Sequence, residues 1–384
     1  MTNEIHSDDV YVVGGGIVGL SIAWQLSREG RKVTVLDQKQ MGKGTSWAGA
    51  GILPPANQKN ATDPLDQLRG LSHELLPVWA RELTNETGKD AGLRRCGGWY
   101  LAESVGEMAA MMGLADYWSD LEIQVERVPL QEIPRQEPML SQWATGEQAI
   151  GAWWAPDEYQ LRPPQYLKVI QEACRNHSVQ LREKCKVTEV REKQSRPQVC
   201  INGTWHSCEQ LVLCGGAWLS QFTHSQGLGN SVIPVRGQML LLKTQKHLSA
   251  RIINVGHRYL VCREDGHILV GSCEEEVGFQ EGTTPQVIQG LHNFACSIVP
   301  KLRSATYVDC WSGLRPMTID GFPMIGRIPR LDQTYVACGH FRSGLHLSAG
   351  TATIIADLLQ GRNPPICIDS FRVGKQMVET HRRS

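Results

Sequence analysis

The chain has 384 residues, which is room for two domains or three. Hydrophobic residues make up 41% of the sequence and charged residues 20%, a composition that supports a full buried core and excludes intrinsic disorder. The 39 Lys and Arg residues balance the 39 Asp and Glu residues, so the chain lacks the positive charge on which nucleic-acid binding and attachment to anionic membrane surfaces depend.

The cysteines and the N-terminal residues indicate a reducing compartment. The twelve cysteines are irregularly spaced, without a C-x-x-C pair, so we expect reduced thiols and neither disulfides nor a metal site. No apolar run approaches the ~20 residues that span a bilayer. The apolar run at 10–24 follows the acidic residues Glu4, Asp8 and Asp9. Because a secretory leader begins with cationic residues, we expect a cytoplasmic protein.

The first elements form one compact β-α-β unit. Residues 10–13 predict a buried strand, the glycines at 14–16 interrupt it, and residues 17–28 predict a helix. Residues 32–36 predict a second strand, which ends at Asp37. A short turn between a strand and a helix places the glycines at the helix N-terminus, where backbone N–H groups are free to bind an anion.

The spacing Gly14-x-Gly16-x-x-Gly19 within this unit is that of a dinucleotide-binding loop. Gly14 permits a tight turn, Gly16 lets the backbone approach a pyrophosphate, and Gly19 lets the helix pack closely on the sheet. The carboxylate of Asp37 can accept ribose hydroxyls, which favours FAD or NAD over NADP. A glycine turn in an ordinary α/β protein is the alternative interpretation, and the motif alone does not separate FAD from NAD.

The rest of the chain predicts long helices among many strands. Helices are predicted at 63–86, 105–121, 163–176 and 284–298, with a last helix ending at Leu359. Strands are predicted at 99–102, 149–154, within 186–208, and at 210–213, 235–242, 258–263, 267–271 and 333–337. Residues 42–55, rich in Gly, Ala, Ser and Thr, predict a loop or a loop-to-helix connection, and Asp265-Gly266 predicts a hairpin turn.

This order of elements predicts an α/β fold with two domains, each assembled from separated pieces of the chain. We expect a Rossmann-like nucleotide-binding domain from residues 1–88, 150–224 and 312–384. We expect an inserted domain, a mainly antiparallel β-sheet with helices, from residues 89–149 and 225–311. The sequence shows no internal repeat and no low-complexity tract.

Motifs spread over nearly the whole chain resemble those of the D-amino acid oxidase family of flavoproteins, and most closely its glycine oxidase branch. Their order and spacing are more specific than any single motif. They read VVGGGIVGLSIAWQL, GKGTSWAGAGIL, LVLCGGAWLS, PVRGQ, YLVCREDGHILVGSCEEEVGF, WSGLRPMTIDGFPMIG and GHFRSGLHLSAGTATIIADLL. The resemblance implies that the Rossmann-like domain is a glutathione-reductase-type FAD-binding domain and that the inserted domain binds substrate.

The resemblance also implies an FAD site. The residues it assigns to FAD are Gly14, Gly16, Ile17, Val18, Gly19, Asp37, Gln38, Thr45, Ser46, Ala48, Gly49, Gly51, Val187, Cys214, Gly215, Gly216, Trp218, Gly313, His340, Phe341, Arg342, Ser343, Gly344 and Leu345. Val187 matches the position beside adenine, although plain core packing explains it equally well. Met317 stands near the position where related sarcosine oxidases carry a flavin-linked cysteine, so we expect non-covalent FAD.

For the substrate, the resemblance assigns Arg315 to the carboxylate. An arginine suits this task because its planar fork binds a carboxylate through two hydrogen bonds. Arg342 matches a second arginine near the carboxylate, and Tyr259 matches a tyrosine whose hydroxyl completes the grip. Ile52 is a candidate wall of the pocket. Glu274 alters substrate preference if its carboxylate points inward, and is a solvated charge if it points outward.

The function implied is FAD-dependent oxidative deamination of glycine or small D- or N-methyl amino acids. Hydride would pass from Cα to flavin N5, and O2 would become H2O2, with no catalytic side chain required. The product imine would be hydrolysed or passed to thiamine thiazole synthesis, and the family's frequent tetramers predict a homo-oligomer, tetramer or dimer. One alternative is a D-amino acid dehydrogenase that passes electrons to a quinone or another acceptor. A second is a non-catalytic FAD-binding subunit.

Overall fold

The computed structural model describes residues 9–374, so Glu4 and Asp8 lie outside the described residues. The strands, in chain order, are β1 (Val10–Val13), β2 (Val33–Leu36), β3 (Ile52–Leu53), β4 (Leu93–Arg95), β5 (Gly98–Ala102), β6 (Glu126–Arg127), β7 (Gly151–Ala155), β8 (Tyr159–Leu161), β9 (Gln180–Arg182), β10 (Val187–Lys193), β11 (Arg196–Ile201), β12 (Thr204–Ser207), β13 (Gln210–Leu213), β14 (Ile233–Lys243), β15 (Ile252–Val255), β16 (Arg258–Cys262), β17 (His267–Gly271), β18 (Thr306–Met317), β19 (Met324–Arg327) and β20 (Thr334–Cys338).

The α-helices of the same residues include three of a single turn. They are α1 (Ile17–Arg28), α2 (Thr45–Ala48), α3 (Pro64–Thr87), α4 (Val105–Asp120), α5 (Ile133–Gln136), α6 (Ser141–Ala144), α7 (Pro163–Asn176), α8 (Pro285–Ile298) and α9 (Gly344–Leu359). Within residues 9–374, no helix combines the length and the apolar composition that crossing a membrane requires.

A six-stranded sheet in the order β19-β20-β13-β1-β2-β9 carries the predicted β-α-β unit. β1 pairs in parallel with both β2 and β13, and all four residues of β1 are buried. Such continuous burial is typical of a parallel strand that is covered on both faces. The bounds of β1 and α1 confirm the sequence prediction, and the sheet is the Rossmann-like part of the fold.

Helices α1, α3, α7 and α9 share one hydrophobic core with this sheet. α3 begins where the sequence indicates, because Asp63 accepts hydrogen bonds from the N–H groups of Leu65 and Asp66 and Pro64 fills the first helical position. It ends at Gly88, which has a φ of 68°. α3 packs against α9, so side chains of both helices meet beneath the sheet.

An eight-stranded sheet in the order β18-β14-β17-β16-β15-β5-β7-β6 forms the second layer. Its pairs are antiparallel except for β15 with β5, which run parallel. β18 pairs with β14 over most of its length, from Thr306 opposite Lys243 to Met317 opposite Ile233. The sequence did not predict β18, because its first half is exposed and shows no alternation of apolar and polar residues.

Two of the predicted domain limits fall inside or next to strands of the eight-stranded sheet, and the limits themselves remain a prediction. The limit at 311/312 falls inside β18, and β7, which lies just after the limit at 149/150, pairs with β5 and β6 of the eight-stranded sheet. β18 therefore runs from the eight-stranded sheet toward the Rossmann-like sheet, where Met317 forms a bridge with His340. The two sheets meet along this strand.

Candidate functional site

A cavity of about 780 Å³ lies between the two sheets. This volume is within the ~300–1,000 Å³ typical of small-molecule and cofactor sites. Every residue that the sequence assigned to FAD lines it, and so do Arg315, Tyr259 and Ile52. Glu274 does not. The cavity has a glycine end, defined by Gly14, Gly16 and Gly19, and an arginine end, defined by Arg315 and Tyr259.

The glycine end leaves no room for side chains. A Cβ on Gly14 would lie 2.2 Å from the carbonyl oxygen of Cys214, and Gly14 has a φ of +115°, which other residues rarely adopt. A Cβ on Gly19 would lie 1.9 Å from the carbonyl oxygen of Gly14. The N–H of Ile17, in the first turn of α1, donates to Oγ of Ser46 at 2.9 Å. Bare backbone at a helix N-terminus is what a pyrophosphate requires.

Asp37 follows β2 at the glycine end. Its two carboxylate oxygens accept hydrogen bonds of 2.7 Å from the backbone N–H groups of Gly15 and Lys39. Burial raises the pKa of Asp37, and these two hydrogen bonds oppose the shift. Each oxygen keeps lone pairs that can accept a further hydrogen bond, so the geometry is compatible with ribose hydroxyls. Val187 at this end is buried, lines the cavity and also packs in the core.

The middle of the cavity is bounded by α2 and β18. Residues 45–48 form a single helical turn, and Oγ1 of Thr45 donates to the carbonyl oxygen of Leu314 at 2.5 Å. A Cβ on Gly313 would lie 2.6 Å from Cβ of Ala48. Gly51 has a φ of +75°, and a Cβ there would lie 1.9 Å from the carbonyl oxygen of Leu161. Close backbone packing therefore forms a smooth wall, suited to a flat ring.

The N-terminus of α9 opens into the cavity. Gly344 and Leu345 in its first turn line the cavity, and the first N–H groups of a helix have no partner within the helix. His340, just before the helix, is buried, and its Nε2 lies 3.0 Å from Oγ1 of Thr351. Burial lowers the pKa of His340 to about 4, so the imidazole is neutral near pH 7. The helix end thus presents partial positive charge from its backbone N–H groups, and His340 adds no charge to it.

Arg315 is held at the arginine end by two hydrogen bonds. It donates to Oγ of Ser272 at 2.8 Å and to the carbonyl oxygen of Cys273 at 3.0 Å. Within residues 9–374, no carboxylate forms an ion pair with it. Burial raises the pKa of Tyr259, although a hydrogen bond with Ser272 and the charge of Arg315 oppose the shift, so the hydroxyl stays protonated. The arginine end therefore combines a cation with a hydroxyl donor.

Arg342 and Glu274 pair with each other at the edge of the cavity. Nε of Arg342 donates to Oε1 of Glu274 at 2.5 Å, and their side chains are 46% and 39% exposed. Of the two orientations that the sequence left open for Glu274, the structure has the exposed one, outside the cavity lining. Arg342 lines the cavity but already has a carboxylate partner. Arg342 therefore differs from Arg315, which has no carboxylate partner within residues 9–374.

Glu158 is a buried acid that the sequence analysis missed. It is fully buried, and burial raises its pKa to about 7. Nδ2 of Asn254, a residue of the cavity wall, lies 3.4 Å and 3.5 Å from its two carboxylate oxygens. A Cβ on Gly98 would lie 1.8 Å from its Oε2. The sequence around Glu158 reads APDEY, which is typical of a surface turn, so no sequence signal marks it.

His346 was also missed, because sequence letters show only a histidine on a helix. It is buried, it lines the cavity, and its Nδ1 has no hydrogen-bond partner in the described part of the chain. The site thus offers a backbone cradle closed to any Cβ and a carboxylate after β2. These features fit an FAD molecule, and they define the class of protein: an FAD-binding α/β fold with a Rossmann-like sheet.

The comparisons with known proteins agree with this class. Residues 9–358 match the DAO family, described as FAD dependent oxidoreductase. The glycine oxidase of Pseudomonas aeruginosa is 30% identical over 370 residues, which cover 94% of this chain and 97% of that protein. The glycine oxidase of Geobacillus kaustophilus is 28% identical over 379 residues, covering 97% of this chain and 100% of that protein.

The fold is similar as well. The crystal structure of glycine oxidase from Geobacillus kaustophilus superposes with a TM-score of 0.91 at 28% identity, and the match covers 96% of this chain and 99% of that one. An iminodiacetate oxidase from Chelativorans shares the fold with a TM-score of 0.84 at 22% identity. The chain belongs to the DAO family of FAD-dependent oxidoreductases, and its cofactor is FAD.

Proposed function

We propose that the protein catalyses FAD-dependent oxidative deamination of glycine or of small D- or N-methyl amino acids, with O2 reduced to H2O2. The observation that carries this proposal is Arg315. Its guanidinium is oriented by Ser272 and Cys273, lies in the cavity wall and lacks a carboxylate partner within residues 9–374. Arg315 is half-buried, and a partly desolvated cation without a counter-ion favours a ligand that brings one. The carboxylate of an amino acid supplies that charge.

Tyr259 gives the second contact of this grip. Its hydroxyl is protonated and lies near Ser272 and Arg315, so it can donate to the same carboxylate. Ile52 of β3, with Met239 of β14, adds apolar wall at the arginine end. A carboxylate held at two points fixes the direction of the Cα–H bond, and such positioning removes most of the entropic cost of the reaction.

No acid or base is required among the residues that line the arginine end. The substrate amine must be neutral to release hydride, and a water-poor wall favours the neutral form because desolvation lowers the pKa of an ammonium group. FAD, held by the glycine end and the N-terminus of α9, would supply the acceptor for a hydride from Cα, and O2 would be the final electron acceptor. Met317 stands near the position where related sarcosine oxidases carry a flavin-linked cysteine, so we propose non-covalent FAD.

The decisive experiment compares the wild type with Arg315→Ala and Arg315→Lys in a peroxide assay. The substrates are glycine, sarcosine, D-amino acids and their L-counterparts. We expect peroxide from the wild type, and a rise in KM of roughly 100-fold for Arg315→Ala, because hydrogen bonds to a charged group are worth about 1.5–3 kcal/mol. Arg315→Lys keeps the charge but loses the fork, so its KM should lie between the two.

Both variants should remain yellow, because Arg315 is assigned to substrate and not to FAD. Loss of bound flavin in Arg315→Ala, or an unchanged KM, would contradict the assignment. A yellow wild type that oxidises amino acids only with an artificial electron acceptor, and makes no peroxide, would favour the alternative of a D-amino acid dehydrogenase.

The names of the relatives suggest two further contexts. The bifunctional protein ThiO/ThiG of Synechocystis is 29% identical over 384 residues, which favours a role for the product imine in thiamine thiazole synthesis. The hydrogen cyanide synthase subunit HcnC of Pseudomonas aeruginosa is 28% identical over 401 residues, which keeps a subunit of a larger complex as the second candidate. Amino acid turnover by the isolated chain would favour the enzyme over a non-catalytic subunit of a larger complex. A homo-oligomer, tetramer or dimer, and a cytoplasmic location remain predictions.

A further inference from the structure

Residues 234–238 of β14, with the sequence PVRGQ, form one of the family-like motifs, but the FAD and substrate assignments include none of them. Side chains alternate between the two faces of a strand, so Arg236 and Gln238 lie on one face and Gly237 on the other. Gly237 lines the cavity, whereas Arg236 and Gln238 do not and are buried, at 7% and 0% exposure. The two faces of this strand can therefore serve the site in different ways.

The cavity face of β14 carries the guanidinium of Arg315. A Cβ on Gly237 would lie 2.2 Å from Nη2 of Arg315, and 2.4 Å from Cζ and from Nη1. The guanidinium thus occupies the space in which a side chain at position 237 would begin. β14 and β18 pair here with Gly237 opposite Gly313, which brings Arg315 of β18 next to this strand. The position of Arg315 therefore requires glycine at 237.

The segment 272–275 supplies both acceptors that orient Arg315. Oγ of Ser272 accepts from Arg315 at 2.8 Å, and the carbonyl oxygen of Cys273 accepts at 3.0 Å. The same segment is attached to β14 through Glu275. The N–H of Arg236 donates to the carbonyl oxygen of Glu275 at 2.9 Å, and the N–H of Glu275 donates to the carbonyl oxygen of Arg236 at 3.0 Å. The acceptors of Arg315 are therefore tied to the strand beneath its guanidinium.

The carboxylate of Glu275 strengthens this attachment. It accepts from Nη2 of Arg236 at 3.0 Å and from Nε of Arg236 at 3.2 Å, which is the two-point geometry of an arginine fork. It also accepts from Nε2 of Gln238 at 2.8 Å and from the thiol of Cys273 at 3.0 Å. Gln238 is fixed in turn by Thr284, just before α8, whose N–H donates to Oε1 of Gln238 at 2.7 Å.

The charge of Glu275 is stable near neutral pH. The hydrogen bond from Arg236 lowers the pKa of Glu275 to about 2, and burial opposes this shift. The side chains of Arg236 and Glu275 are 9% and 25% exposed, so solvent screens this ion pair less than it screens a surface pair. Glu275 is not among the residues that line the cavity, so its effect on a ligand passes through its neighbours.

We propose that Glu275 is a positioning residue for Arg315, which it orients by holding the segment 272–275 against Arg236 and Gln238. Two N–H donors of the guanidinium go to this segment, and the others remain for the carboxylate of a substrate. Because hydrogen bonds weaken steeply as their angles worsen, a released segment would let the fork turn away from that carboxylate. The inference rests on the proposed function, in which Arg315 binds the substrate carboxylate.

The test measures the binding of acetate, the simplest carboxylate probe, to the holoenzyme through its effect on the visible flavin spectrum. Glu275→Gln keeps the size of the side chain and removes the charge that pairs with Arg236. We expect acetate to bind about tenfold more weakly and KM for the amino acid to rise about tenfold, with kcat and FAD affinity changed by less than about twofold. Glu276→Gln is the matched control, because it makes the same charge change at the next, exposed residue and should behave as the wild type.

Two further variants separate positioning from a general loss of structure. Gly237→Ala displaces the guanidinium directly and leaves Glu275 in place, so we expect a similar loss of acetate affinity. In Arg315→Lys, which lacks the fork, Glu275→Gln should add less than about twofold, because its effect passes through the guanidinium. Additive losses in that double variant, or an acetate affinity unchanged in Glu275→Gln, would overturn the inference. Equal acetate affinities of the wild type and Arg315→Ala would instead contradict the proposed function, and this inference with it.

Discussion

At the glycine end of the cavity the wall is backbone, whereas at the arginine end it is polar side chains from distant parts of the chain. Gly14 and Gly19 belong to one β-α-β unit and approach other backbone atoms within 2.2 Å of where a Cβ would lie. Arg315, Tyr259 and Asn254 come from three different strands of the eight-stranded sheet. One end is built by local sequence, and the other by the pairing of remote strands.

This difference indicates which substitutions should impair each end of the cavity. A backbone wall tolerates no added atom, and Asp37 is the carboxylate at its edge. A wall of side chains tolerates changes in size, but it depends on charge, on hydrogen bonds and on protonation. Variants that add a single carbon should therefore damage the glycine end most, and variants that change a charge or a proton should damage the arginine end most.

The largest effect is expected for Gly19→Ala. The new Cβ would lie 1.9 Å from the carbonyl oxygen of Gly14, so either α1 or the loop must shift. Overpacking of this kind costs about 1–3 kcal/mol or more, and the shift also moves the N–H groups that bind the pyrophosphate. We expect the purified variant to lose most of its flavin, measured as the ratio of absorbance at the flavin band to that of protein.

Gly113→Ala is the control for this substitution. Gly113 lies on the exposed face of α4, and a Cβ there meets no atom within 4 Å. Alanine favours a helix over glycine by about 1 kcal/mol, so this variant should be as yellow as the wild type and slightly more stable. Full flavin occupancy in Gly19→Ala would mean that the glycine end is not the rigid part of the site.

The second-largest expected effect concerns the protonation of Glu158, the buried acid that Asn254 of the cavity wall contacts. Burial raises the pKa of Glu158 from 4.5 to about 7, so the folded protein holds a proton that the unfolded chain has already released. The contribution of Glu158 to the free energy of unfolding is therefore most favourable below pH 4.5 and falls as the pH rises to about 7, by up to ~3 kcal/mol. Glu158→Gln cannot ionise, so its stability relative to the wild type should increase between pH 5 and pH 8, measured by urea unfolding with saturating FAD.

Glu126→Gln serves as the control, because Glu126 is an exposed residue on the edge strand β6. Its pH dependence should follow that of the wild type. Parallel curves for Glu158→Gln and the wild type over pH 5–8 would contradict the assignment of a neutral buried acid at this position. They would also remove the contrast in protonation between the two ends of the cavity.

The same contrast explains how much the sequence could predict. The bounds of β1 and α1 could be predicted from the local pattern of apolar residues. The glycine spacing could be predicted because close backbone approach permits only glycine. Asp37 and the strand before it were readable for the same local reason. The family resemblance added Arg315 and Tyr259, and the structure places both in one cavity.

Other features left no trace in the sequence. The strand β18 was missed because its first half is exposed, and β15 was missed because four residues show too little periodicity. Glu158 resembles a surface residue until its burial beneath Gly98 is seen. The pairing of His73 with His346 joins residues that are 273 positions apart, and only the packing of α3 on α9 brings them together. Contacts of this kind depend on tertiary structure and not on any local pattern.

The smallest effect is expected for Glu274→Gln, which tests the edge of the arginine end. The Arg342–Glu274 pair is almost half exposed, and such pairs contribute about 0–1 kcal/mol. The variant frees Arg342 to approach the cavity, so we expect KM for the amino acid to fall, by less than about threefold, with kcat unchanged. High salt should weaken the pair in the wild type and reduce this difference, since exposed charges are screened. A tenfold change in KM, or a changed order of substrates, would show that Glu274 faces the cavity and that the arginine end extends further than Arg315 and Tyr259.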